Sequence, residues 1–160
     1  MTIRIRRATI DDAETLLRLV RRLGEVQGAA HEMTATVEDL RRDGFGPSPR
    51  FEALLAEAAD GSPVGLALYY FTYSTWAGCT KLYVEDLFVD PNCQGAGLGR
   101  RLMASLAVIA LDRGCVALDL AVKSDNRARG FYERLGLTRK GSWQPYGVSR
   151  DALRALASHA

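Results

Sequence analysis

The chain has 160 residues, 48% hydrophobic and 25% charged, with 21 basic against 19 acidic side chains and a net charge of +2. That length predicts a single domain over residues 1–160, and the near-balanced charge, with no basic tail or aromatic–basic stripe, argues against nucleic acid as a partner. Cys79, Cys93 and Cys115 form no C-x-x-C and the histidines number two, so no metal site is expected; reduced thiols, no signal peptide and no membrane span predict a cytoplasmic protein.

Apolar and basic residues alternate over 2–8, which predicts a strand. "TIDD" then offers helix-capping groups. Ala13, Leu16, Leu17, Leu19, Val20 and Leu23 recur at helical spacing, and Gly24 and Gly28 are expected to end that helix. A short helix over 36–42 stops at "DGFGPSP". Strands over 51–59 and 64–73 flank the turn "DGSP" as an antiparallel hairpin. After "STWAGCT" comes a third strand over 79–89, then a glycine-rich loop. Leu102, Leu106, Ile109 and Ala110 line one face of a helix over 98–113, which Gly114 stops. Residues 115–122 are almost uninterruptedly apolar, as in a strand covered on both faces. A helix over 125–134, one or two strands within 137–148 and a short helix over 150–157 complete the order. The strands at 79–89 and 115–122 flank a crossover helix and should pair in parallel. The result is an α+β domain, a mixed central sheet with helices on both faces.

The loop reads "VDPNCQGAGLGRRL" from Val89 to Leu102. A nucleoside-triphosphate loop needs lysine after its last glycine, where this chain has Arg100. A dinucleotide fingerprint needs G-x-G-x-x-G after the first strand, and Gly95, Gly97 and Gly99 have neither that spacing nor that place. What remains is Q-x-x-G-x-G at the opening of a helix, where backbone N–H groups and the helix dipole suit a pyrophosphate. The competing reading is a glycine turn that only permits close packing.

Together with "NRARGFYERLGL" downstream, this loop resembles the GNAT acetyltransferase superfamily. "DGFG", "YYFTYSTWAG", "LYVEDLFV", "QGAGLG" and "FYERLG" are similar to its diamine/polyamine N-acetyltransferase branch, along nearly the whole chain. The resemblance implies acetyl-CoA as co-substrate. It implies that the strand near Leu87 and Val89 splays from its neighbour and offers backbone groups to the pantetheine arm. The amides of Gln94, Gly95, Ala96, Gly97, Leu98, Gly99 and Arg100 would wrap the pyrophosphate. Where many relatives carry asparagine seven residues before the tyrosine, this chain has Asp125, with Asn126 one place later; either can cap the helix, and the resemblance implies that one of the two meets the pantetheine.

Amide formation from a thioester needs a neutral amine, a stabilised oxyanion and a proton for the leaving thiolate. Tyr132 matches the family's acid. Glu85 matches the residue that activates the amine, directly or through water. Asp86 is expected to attract or orient the cationic amine. On a regularly alternating strand these two carboxylates face opposite sides, unless a bulge intervenes. Arg100, Arg101 and Arg129 are candidate phosphate contacts or solvated arginines.

A polyamine site calls for several carboxylates. The family's acidic segment reads "EVQGAAHEMTAT" here, which leaves Glu32, Glu85 and Asp86, with Trp76 and Trp143 as candidate covers for an alkyl chain or a cation. The expected substrate is a small primary amine: a diamine, a polyamine or a lysine-like amino acid. The alternatives are a non-catalytic acyl-CoA-binding module and an enzyme acting on a protein amine. Relatives form two-fold dimers, and Trp143, Tyr146, Val148, Leu153 and Leu156 are apolar residues that suit a homodimer.

Overall fold

A computed structural model describes residues 2–142 and 144–160. Two compact units divide the chain, Met1–Lys123 and Ser124–Ala160.

The first unit is built on a five-stranded sheet in the order β1 (Ile3–Arg7), β2 (Glu52–Ala58), β3 (Pro63–Ser74), β4 (Cys79–Val89) and β5 (Leu118–Leu120). The first three junctions are antiparallel and β4–β5 is parallel, as the crossover requires. On one face lie α1 (Ala13–Val26) and α2 (Val37–Phe45). Their apolar stripes bury Leu16, Leu17, Leu19 and Leu40 against Leu55, Leu66, Leu68 and Phe88. On the other lies α3 (Leu98–Asp112), with Leu98, Leu102, Met103, Leu106, Ile109 and Ala110 buried. Gly65 marks that second face: a Cβ there would stand 3.4 Å from Leu98 Cδ2 and 3.5 Å from Ala56 Cβ.

Local chemistry explains the boundaries. Thr36 caps α2, its hydroxyl accepting the Asp39 N–H at 3.2 Å while Asp39 accepts the Thr36 N–H at 3.0 Å. Before α1, Asp12 accepts the Thr9 N–H at 2.8 Å and pairs with Arg6 at 2.7 Å; Arg6 also holds Glu57 on β2. Gly24 does not stop α1, which runs on to Val26 before Gly28 turns the chain at φ +68°. One glycine inside a well-packed helix costs about 1 kcal/mol, less than the packing returns.

The strand expected over 115–122 shrinks to three residues. Cys115 is spent closing α3, its N–H donating to Ala110 O at 2.8 Å.

In the second unit, α4 spans Arg129–Arg134 and α5 spans Arg150–Ala157. The helix expected from residue 125 starts later because residues 125–128 form a turn, in which Asn126 Oδ1 accepts the Ala128 N–H at 2.8 Å. The strands expected within 137–148 are absent from the described residues of that segment. Gly141, Pro145 and Gly147 weaken strand pairing there, and Pro145 has no N–H to donate. Trp143 lies outside the described residues. No helix among the described residues is long and apolar enough to cross a membrane.

Candidate active site

β4 changes partners midway. Its parallel pairing with β5 covers Leu82↔Leu118, Tyr83↔Asp119 and Val84↔Leu120, where β5 ends. On its other side it pairs with β3 throughout, but the register jumps: Tyr69 faces Val84, and Leu68 faces Asp86. Glu85 is therefore the extra residue of a β-bulge.

That one residue sets two things. First, it switches which backbone groups look toward β5. Leu82 donates its N–H to Ala117 O at 3.0 Å on the β5 side. Strict alternation would next turn Asp86 and Phe88 that way. With the bulge the turn falls to Leu87 and Val89 instead. Asp90 confirms the new phase, since its N–H donates to Val64 O at 2.9 Å on the β3 side. The edge that opens beyond Val84 thus carries the peptide groups of Leu87 and Val89, and the Val89 carbonyl accepts the Gln94 side-chain amide at 3.3 Å.

Second, the bulge turns both carboxylates to one face. Asp86 sits opposite Leu68 and shares its face with Phe88, the face that α1 covers. Glu85 follows Val84, which faces the α3 side opposite Tyr69, so Glu85 turns to the α1 side too. Tyr70 and Tyr83, paired across the strands, lie on this face with ring centroids 5.2 Å apart. Among the described residues no cation pairs with Glu85 or Asp86. Burial, and then the neighbouring Glu85, push the Asp86 carboxyl up to about 6. Burial and Glu85 also raise the Tyr70 and Tyr83 phenols, so both keep their protons at neutral pH. Sequence alone did not single out these tyrosines, because their place beside Glu85 depends on the cross-strand register.

The loop after β4 is pinned at its start. Asp90 accepts the Asn92 N–H at 3.0 Å and Arg22 Nη1 at 2.7 Å. Gly95 and Gly97 adopt left-handed conformations, φ +83° and +76°. A Cβ at either would meet nothing within 4 Å, so conformation rather than space demands glycine there. Gly99 does not share this need: it lies inside α3 and is not left-handed. Gly97 caps α3, and the first helical bond is Arg101 N–H to Gly97 O at 3.0 Å. The N–H groups of Leu98, Gly99 and Arg100 therefore have no partner within the helix, while Gln94, Gly95, Ala96 and Gly97 are exposed beside them. This is an anion-binding geometry. Arg100 is exposed at its edge. Arg101 is engaged elsewhere, donating to Ile3 O at 2.8 Å, and Arg129 donates to Ser124 O at 2.7 Å.

Glu32 ends a short 3-10 segment after α1 and Trp76 lies in the turn between β3 and β4, and both are exposed. Tyr132, Asp125 and Asn126 belong to the second unit. Burial raises the Tyr132 phenol, which keeps its proton at neutral pH. Asn126 rather than Asp125 supplies the turn's capping oxygen.

The acetyltransferase (GNAT) family matches residues 15–137. A thialysine N-epsilon-acetyltransferase of Bos taurus is 40% identical over 97% of each chain, and that of Mus musculus 38% over 96% of each. Among solved structures, an integron cassette protein from the mobile metagenome of V. cholerae superposes with TM-score 0.81 at 25% identity, covering 98% of each chain. The chain belongs to the GNAT acetyltransferase family and groups with the amine N-acetyltransferases of its diamine/polyamine branch.

Proposed function

We propose that this protein transfers the acetyl group of acetyl-CoA to the primary amine of a small molecule, by direct attack in a ternary complex. The observation that carries this is the bulge at Glu85. It presents on one face two carboxylates with no cation partner among the described residues, and it opens a strand edge that leads to a loop with anion-binding geometry. Leu87 and Val89 would bind the amide groups of the pantetheine arm. The amides from Gln94 to Arg100 would hold the pyrophosphate.

An alkyl ammonium, with a pKa near ~10, must lose a proton before its nitrogen can attack. Glu85 takes that proton, directly or through a water. The nitrogen forms a bond to the thioester carbonyl carbon, and the tetrahedral intermediate collapses with rupture of the C–S bond. Tyr132 gives its proton to the departing thiolate, in the role its motif carries in the family, and the second proton shed by the nitrogen as the amide forms restores the phenol by way of solvent. Asp86 attracts the incoming cation.

Thialysine N-epsilon-acetyltransferases among the relatives favour a lysine-like amino acid or a diamine over spermidine. The scarcity of further carboxylates points the same way. We assign both units to one catalytic domain, working in the cytoplasm with its three thiols free. We also propose a homodimer, because Tyr146, Val148, Leu153 and Leu156 are all exposed. Thiol release from acetyl-CoA across putrescine, spermidine, lysine and thialysine tests the assignment. Turnover with at least one is expected, and binding without turnover on any would leave an acyl-CoA-binding module instead.

A further inference from the structure

We propose that Tyr70 is a positioning residue for Glu85: its hydroxyl, held beside the bulge by the facing Tyr83, donates to the carboxylate and orients it toward the amine. This rests on Glu85 acting as the base. A bulged residue lacks the paired neighbour that fixes an ordinary strand side chain, so a carboxylate there needs another restraint. Tyr70 supplies one. Cross-strand pairing sets it opposite Tyr83, and the tilted ring contact at 5.2 Å restricts its side chain. Both rings lie on the face that carries Glu85. Glu85 lies two residues beyond Tyr83 on that same face, and burial and Glu85 raise the Tyr70 phenol, which keeps its proton at neutral pH and can donate it to a hydrogen bond. The other titratable groups around Glu85 are Tyr83 and Asp86, and Asp119 with its partner Lys81 stands beyond Tyr83. No arginine or lysine among the described residues competes for Glu85. A phenol orients without neutralising, so Glu85 remains able to accept a proton from the amine.

The test is a mutant cycle on the full chain, with the best acceptor of the amine panel, read as thiol release from pH 7 to 9. Tyr70→Phe keeps the ring contact and removes the hydroxyl. A loss in kcat of roughly 10-fold at pH 7 is expected, the order of one hydrogen bond to a charged group. The KM for acetyl-CoA should not change. The deficit should shrink toward pH 9, where free amine needs no base, and Tyr70→Phe added to Glu85→Gln should cost nothing further. A wild-type kcat, a deficit constant with pH, or losses that multiply in the double variant would overturn the role of Tyr70. A pH-independent or absent defect in Glu85→Gln alone would overturn the base assignment itself, and the two failures are thereby distinct.

Discussion

Two aspartates on the same unit, Asp12 buried and Asp86 half-buried, behave in opposite ways. Asp12 is held by Arg6 at 2.7 Å and by the Thr9 N–H, and the arginine contact draws its carboxyl down to about 2. Asp86 has no cation among the described residues, and burial beside Glu85 pushes it up to about 6. The first cluster ties β1, β2 and the entry to α1 together, and every charge in it is answered. The second concentrates negative charge on one face and leaves it unanswered. A fold gains nothing from such a pair, since a half-buried carboxylate beside a like charge costs stability. An incoming ammonium would supply what is missing.

The comparison is exposed to breakage in kinetics first. Tyr132→Phe retains the ring and removes the proton offered to the thiolate; kcat should fall by about 100- to 10,000-fold while acetyl-CoA affinity, measured by calorimetry, stays near wild type. Glu85→Gln should lower kcat at pH 7 by about 100-fold, with a deficit that narrows as rising pH frees the amine. Thermal stability of this variant should not decline, because among the described residues the removed charge has no cation partner and glutamine can still accept a hydrogen bond.

Stability sharpens the contrast from the other side. Arg6→Ala strands Asp12 and Glu57 and should cost about 2 kcal/mol in denaturant unfolding, below the value for a fully buried pair because the cluster is partly exposed. Its kcat should be unchanged at temperatures where the variant is folded. In the wild type, the contribution of Asp12 is present above its ordinary value of 3.8 and is lost as the pH falls through about 2. Asp86 runs the opposite way. Its folded value lies above 3.8, so stability is complete below 3.8 and declines as the pH rises through about 6. Asp86→Asn should therefore raise stability at pH 7 by about 1 kcal/mol while weakening the KM for the amine. A variant that lost stability at pH 7 would place Asp86 with Asp12, among the scaffold groups.

Much of the architecture was legible in the chain. Alternation marked β1, the turn "DGSP" marked β2 and β3 as a hairpin, and the bounds of β4 and α5 follow from pattern and punctuation alone. The glycine loop was legible because its left-handed positions at Gly95 and Gly97 admit few other residues. The short elements were not. β5 and α4 are trimmed by capping contacts, Cys115 to Ala110 and Asn126 to Ala128, that compete with the regular pattern over a single residue. Glu85 and Tyr132 were visible as motif positions, whereas Tyr70 and Tyr83 resembled ordinary strand aromatics.

The sequence by itself determined the order of elements, the parallel pairing forced by the crossover helix and the anion-binding turn before α3, because each depends on the propensities of neighbouring residues. Only the tertiary structure decided that Glu85 is a bulge. A bulge is a mismatch in count between two strands, β3 and β4, and neither strand records it alone. From that mismatch follow the shared face of Glu85 and Asp86 and the turning of Leu87 and Val89 toward the open edge.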